Sequence, residues 1–157
     1  MDYKVNIGLE VHIELLTKNK MFCMCKSSFG DEENKNVCPI CLGLPGALPI
    51  PNKDAISLAI KTGIGTNCQI NNKILFDRKN YFYKDLPKGY QITQFYNPIC
   101  KNGYINLENK KINIREIHME EDAGKKGKNN NIDYNRAGIP LLELVTMPDF
   151  ENANEVI

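Results

Sequence analysis

Apolar and polar residues alternate without a break through the start of the chain. Val5, Ile7, Leu9, Val11, Ile13 and Leu15 are interleaved with Asn6, Gly8, Glu10, His12 and Glu14. A period of two belongs to a strand with one buried face, so the spacing predicts a half-buried strand over residues 5–15. The period changes after residue 51. Asn52 suits an N-cap and Asp54 the first turn of a helix. Ala55, Ile56, Ala59, Ile60, Gly63 and Ile64 then recur at helical spacing. The pattern predicts a helix over residues 53–65, packed through Ile56, Ala59, Ile60 and Ile64 and weakened in its last turn by Gly63 and Gly65.

Beyond Cys68 the chain reads as extended. Residues 77–83 and 90–96 are aromatic-rich strand candidates, separated by Leu86-Pro-Lys-Gly89. Residues 98–100 and 104–107 flank Lys101-Asn-Gly103, which reads as a hairpin turn. A turn at 109–111 precedes a strand at 112–119, a polar loop at 122–131 and a last strand at 141–145. Pro148-Asp149 marks a turn, and residues 150–157 read as a helix just beginning. One patterned helix among many extended segments predicts an α+β fold, mostly antiparallel sheet. Nothing after Asp149 closes a fold, so a truncated piece of a longer protein is expected.

Composition narrows the picture. A length of 157 residues suits one domain, and 42% hydrophobic with 25% charged residues is an ordinary soluble balance. No apolar run reaches the ~18 residues of a membrane span. The net charge of +1 removes any whole-chain argument for nucleic-acid binding and leaves only local patches. Met1-Asp-Tyr-Lys4 does not open a secretory signal. Four of the six cysteines crowd into residues 23–41 as two pairs. Together these features favour a reducing, cytoplasmic setting and a metal site over a disulfide framework.

Cys23-x-Cys25 and Cys38-x-x-Cys41 are the clearest local signal. Two close pairs across a short loop form a four-thiolate zinc pattern, and such a closed site is structural. A redox pair or four unlinked core thiols are the competing readings, and Cys68 and Cys100 read as buried thiols. Glu10 and His12, two apart on a strand, point to one side. On that strand alone a solvated face is the simpler reading. His118-Met-Glu-Glu-Asp122 gathers more ionisable groups, and Glu143 sits within apolar Leu141-Leu-Glu-Leu-Val145. A lone carboxylate there is costly unless a cation, or a partner such as Arg136, compensates it. Carboxylates and a histidine converging on one point suit Mg²⁺ with phosphate ligands. Asp77-Arg-Lys-Asn-Tyr-Phe-Tyr83 interleaves charge with rings. It reads first as a strand with an aromatic core face, and second as a surface that stacks on nucleic acid. No Walker pattern or GxGxxG occurs.

Six segments taken together resemble a known family. They are Ile7-Gly-Leu-Glu-Val-His-Ile-Glu-Leu15, Cys38-Pro-Ile-Cys-Leu-Gly-Leu-Pro-Gly-Ala-Leu-Pro49, Phe76-Asp-Arg-Lys-Asn-Tyr-Phe-Tyr83, Leu86-Pro-Lys-Gly-Tyr-Gln-Ile92, His118-Met-Glu-Glu-Asp-Ala-Gly-Lys125 and Asp133-Tyr-Asn-Arg-Ala-Gly-Ile-Pro-Leu-Leu-Glu143. They are similar, in order and across the whole chain, to the N-terminal part of GatB, the second component of the tRNA-dependent amidotransferase GatCAB. The resemblance implies a β-rich cradle domain over residues 1–157, holding a zinc-binding loop at 21–45, with a C-terminal helical tRNA-binding region lying outside this chain. It implies an ATP- and Mg²⁺-dependent ligase component that works in a heterotrimer with a glutaminase (GatA) and a small third protein (GatC). The implied reaction phosphorylates the side-chain carboxylate of Glu or Asp misacylated on tRNA(Gln) or tRNA(Asn). Channelled ammonia then displaces the phosphate.

Carried over by position, Glu10, His12, Glu121 and Glu143 are implied as metal and active-site groups, with Glu120 beside them. Lys79 and Lys88 are implied to border the ammonia path, and Cys23, Cys25, Cys38 and Cys41 to hold Zn²⁺. Glu10, His12, Glu121 and Glu143 are expected around one pocket, with Lys79 on its approach. The alternative from another functional class is a zinc-stabilised, non-enzymatic RNA-binding module. The acidic set argues against it, because carboxylates repel phosphate unless a cation intervenes.

Overall fold

The computed structural model describes residues 3–157. In chain order its strands are β1 (Glu10–Glu14), β2 (Gln69–Ile70), β3 (Asp77–Asn80), β4 (Tyr90–Thr93), β5 (Cys100–Asn106), β6 (Lys111–Glu121), β7 (Lys125–Lys126), β8 (Ile132–Asp133) and β9 (Pro140–Thr146). One α-helix, α1 (Lys53–Gly65), is found among the described residues. The order β1-β9-β6-β5-β2 makes one sheet, and β3–β4 and β7–β8 are separate pairs. Every pairing is antiparallel. The expected α+β architecture is the observed one.

The core lies between α1 and one side of the large sheet. Ala55 and Ala59 of α1 join Ile117 and Met119 of β6 and Leu142 and Leu144 of β9 in a single buried cluster. Full burial of each large side chain there is worth roughly 1.5–3 kcal/mol. Asn52 caps the helix: its side chain accepts from the Asp54 amide at 2.9 Å and the Ala55 amide at 3.4 Å. Its amide nitrogen also donates to the carbonyls of Asn19 and Lys20, at 3.0 and 3.2 Å. The cap therefore ties the helix to the start of the cysteine loop.

Several elements depart from their sequence pattern. The ladder of β1 covers only five of the eleven alternating residues. Before it, Leu9 donates to the Thr146 hydroxyl at 2.9 Å, and Ile7 makes a lone bridge to Phe150. Val5 and Val11 are exposed and Leu15 is buried. The reason is position: β1 is an edge strand, while α1 packs over β2, β5 and β6. The helix turns Ala55, Ala59 and Gly63 inward, with Ile56 and Ile60 partly buried and Ile64 exposed.

Lys101-Asn-Gly103 is not a turn. β5 runs straight through it, with Asn102 at φ 53°, and the chain reverses later, where the Leu107 amide donates to the Lys110 carbonyl at 2.7 Å. Gly103 serves packing, since a Cβ there would overlap Cys68 Sγ and lie 2.7 Å from the Thr66 carbonyl oxygen. The polar loop at 122–131 contains β7 and turns back into β8. The strand expected at 77–83 ends at Asn80, and Phe82 and Tyr83 are exposed rather than turned to a core. At the end of the chain a single 3₁₀ turn, Ala153–Glu155, forms.

Candidate functional site

Strand alternation sorts the ionisable residues onto two sides of the sheet. His12 of β1 stands opposite Glu143 of β9, and Glu143 stands opposite His118 of β6. Glu120 is two residues further along β6, so it shares their side. That side faces away from the helix. His12 Nε2 is 3.1 Å from Glu120 Oε1 and 3.9 Å from Glu143 Oε1. One ligand atom from each of the three lies within 4.8 Å of the others.

These groups lie in a hollow of about 580 Å³ whose lining includes Glu10, Glu14, Lys79, Tyr81, Asp122 and Arg136. The β3–β4 hairpin supplies Lys79 and Gln91 to it. Thr93 Oγ1 donates to Glu120 Oε2 at 3.3 Å. Glu120 is only 2% exposed, and burial raises its carboxyl pKa; the like charge of Glu143 adds to this, while His12 opposes it. Burial also raises Asp122, against the pull of Arg136. Arg136 is thus committed to Asp122, at 3.4 Å, and to the carbonyls of Ala123 and Gly124. It is not the partner of Glu143, whose neighbouring base is His12.

The expectation that Glu121 joins this group is corrected. It follows Glu120 on a strand, so it leaves the opposite side. There its carboxylate lies 2.6 Å from Lys88 Nζ and accepts the Ile92 amide at 3.1 Å. Burial raises its pKa and Lys88 opposes the rise. Lys88 and Glu121 line a separate cavity of about 120 Å³ with Lys20, Cys41, Gly43 and Tyr90. Of the residues expected together, the fold unites His12, Glu143 and Glu10, places Lys79 in the same hollow, and supplies Glu120 instead of Glu121.

The four paired cysteines do converge. The sulfurs of Cys23, Cys25, Cys38 and Cys41 lie within 4.8 Å of one another, and all six cysteines of the chain are free thiols. Tetrahedral zinc with Zn–S near ~2.3 Å needs sulfurs about 3.8 Å apart, so this donor set fits the ion. The Cys38 amide donates to Cys41 Sγ at 3.1 Å. The Cys41 thiol is pushed down, first by its hydrogen bond with Cys23 and further by the charge of Lys20. Cys100 is buried as expected, whereas Cys68 is only partly so.

Sequence reasoning missed Lys20. It is fully buried, with Nζ 3.8 Å from Cys41 Sγ and 3.1 Å from the Tyr134 carbonyl. A single lysine in a turn segment carries no pattern. Thr93 and Gln91 were missed for a similar reason, since only the hairpin's crossing over β6 brings them to the carboxylates. Glu14 was legible as the next residue on the polar side of β1.

Among the described residues no helix is long and apolar enough to cross a membrane. Residues 5–157 match the family described as the GatB/GatE catalytic domain. The chain is 54% identical to the B component of the aspartyl/glutamyl-tRNA(Asn/Gln) amidotransferase of Clostridium kluyveri, covering 100% of this chain and 35% of that protein. It is 56% identical to the protein of the same name from Finegoldia magna, covering 99% and 34%, and 55% identical to that from Clostridium novyi, covering 100% and 35%. The chain therefore spans about a third of the length of these relatives.

Proposed function

The chain belongs to the GatB/GatE catalytic-domain family, and on that premise we propose that it is the N-terminal catalytic cradle of a GatB-type amidotransferase component. In this reading a glutaminase and a small third protein complete the enzyme, and a helical tRNA-binding region follows the cradle in the whole protein. The setting is cytoplasmic, where six unbridged thiols stay reduced. The reaction makes Gln-tRNA(Gln) or Asn-tRNA(Asn) from the misacylated precursor. The substrate's side-chain carboxylate takes the γ-phosphoryl group of ATP, giving an acyl phosphate and ADP. Ammonia then forms the C–N bond, and phosphate leaves with the nitrogen's surplus proton passing to solvent.

The observation that carries this reading is the convergence of His12, Glu120 and Glu143 in an open hollow. Two carboxylates and an imidazole suit a divalent ion that keeps positions for phosphate oxygens. A bound Mg²⁺ would neutralise phosphate charge, which is most of what phosphoryl transfer requires. His12, Glu120 and Glu143 would hold the ion, with Glu10 at the rim. Lys79 would steady the acyl phosphate. Thr93 keeps the Glu120 carboxylate oriented by its hydrogen bond. Lys88, paired with Glu121 behind the hollow, would border the ammonia path. Zn²⁺ on the four cysteines would be structural.

The test is Glu120→Gln in the complete heterotrimeric enzyme, assayed with misacylated tRNA. ATP-dependent amidation should fall by at least a hundredfold while glutamine hydrolysis by the glutaminase persists. Near wild-type amidation at saturating Mg²⁺ would remove the site. The RNA-binding-module reading would then gain, and tRNA binding without ATP turnover would identify it.

A further inference from the structure

The segment after β3 is tied down by hydrogen bonds to its backbone carbonyls yet leaves its rings in solvent. Tyr134 Oη donates to the Lys84 carbonyl at 2.7 Å, the Gly124 amide donates to the Asp85 carbonyl at 2.8 Å, and the Leu86 amide closes a turn on the Tyr83 carbonyl at 3.1 Å. Within this fixed segment Phe82 is 91% exposed and Tyr83 72%. Each ring forgoes the burial that the hydrophobic effect favours. With Lys84, Asp85, Lys126 and Ile132 they line a depression of about 410 Å³. Two lysines face one aspartate there, and neither lysine is engaged in an ion pair among the described residues.

One ring contact joins the depression to the candidate active site. The Tyr83 ring lies 6.1 Å from the Tyr81 ring, edge to face, and Tyr81 lines the hollow of His12, Glu120 and Glu143. The path is thus aromatic and basic at its outer end and acidic, with cation-binding character, at its inner end. We propose that Phe82, Tyr83, Lys84 and Lys126 bind the unpaired 3′-terminal nucleotides of the aminoacylated RNA, which Tyr81 passes into the hollow. This rests on the amidotransferase reading. The nucleotide bearing the amino acid must stand at the rim for its side chain to enter. Exposed rings offer each unpaired base a stacking face, and the lysines offer its phosphates countercharge. The ammonium groups beside the rings suit a phosphate-bearing strand better than an apolar protein face.

The experiment uses the full-length protein in its complete complex, with misacylated tRNA as the varied substrate. Turnover by the wild-type complex tests the amidotransferase reading; the variants test the nucleotide track. Phe82→Ala and Tyr83→Ala should each raise KM for the tRNA, by roughly 5- to 150-fold per lost stack. Phe82→Trp should preserve it. Lys126→Ala should weaken binding and reduce the salt dependence of tRNA affinity by about one unit of slope. A photoreactive base near the 3′ end should crosslink to this segment. If wild type turns over but the alanine variants keep KM within twofold, the track is wrong and the enzyme reading stands. Loss of complex integrity in the alanine variants, or a fall in kcat with KM unchanged, would also overturn the track. The first would make the rings a contact between components of the complex, the second part of the chemistry.

Discussion

His12 Nε2 and Glu120 Oε1 lie 3.1 Å apart although their strands are not neighbours. β9 runs between β1 and β6, so the two backbones are about 10 Å apart. The imidazole and the carboxylate meet above the middle strand, beside Glu143, which that strand supplies. Three strands are therefore needed to assemble the site, and any slip of β1 by one residue would turn His12 to the helix side.

Removing one of the three groups should act first on metal affinity. Glu120→Gln keeps the shape and the Thr93 contact but loses a charge. Mn²⁺ binding, followed by electron paramagnetic resonance, should weaken by more than the roughly 10–100-fold that outer-sphere partners cost. Glu14→Gln lies two residues from His12 on the same side, so it serves as a control and should change affinity far less. Equal losses in both variants would mean that general negative potential, not a specific ligand set, attracts the ion.

The Lys88–Glu121 pair should behave as a buried ion pair. Glu121→Leu alone strands the lysine and should destabilise the fold by about 3–5 kcal/mol, whereas Lys88→Met with Glu121→Leu should recover most of that loss. Urea unfolding of the two variants and of Lys88→Met completes the cycle. Similar stability in Glu121→Leu and wild type would show that the pair is hydrated in solution.

Metal should be found at about one zinc per chain in protein purified without added zinc. Gly43, at φ +68°, packs so closely on Lys88 that a Cβ would overlap the lysine's Cγ. Chelation should therefore loosen residues 21–45 and also speed amide exchange around Lys88. Exchange confined to the cysteine loop would show that this loop and the ion pair are uncoupled.

Two glycines of α1 should respond in opposite directions to alanine. Nothing lies within 4 Å of a Cβ built on Gly65, so Gly65→Ala should stabilise by up to about 1 kcal/mol. A Cβ on Gly63 would overlap Cys100 Sγ and come within 2.6 Å of Ile70 Cδ1. Overpacking there costs roughly 1–3 kcal/mol and exceeds the helix-propensity gain. Thermal melts of the two variants should bracket wild type.

Local pattern was enough for α1, whose cap at Asn52 and period were legible, and for the paired cysteines, whose spacing alone announces four convergent thiols. The α+β class followed from one helix among many strand-like segments. The resemblance named His12 and Glu143, which the fold brings together, but put Glu121 ahead of Glu120, its neighbour in sequence, where the fold supplies Glu120. Only strand phase separates them by a sheet thickness, and phase depends on which side the helix covers. Exposure was also beyond local reading. Val11 and Ile64 carry the same apolar signal as buried residues, yet one lies on an edge strand and the other on the uncovered side of its helix. Lys20 looks like any surface lysine until Cys41 and Tyr134, distant in sequence, close around it. Short-range periodicity records what a segment can bury. Which partner covers it, and which charges meet, is decided by contacts between residues far apart in the chain.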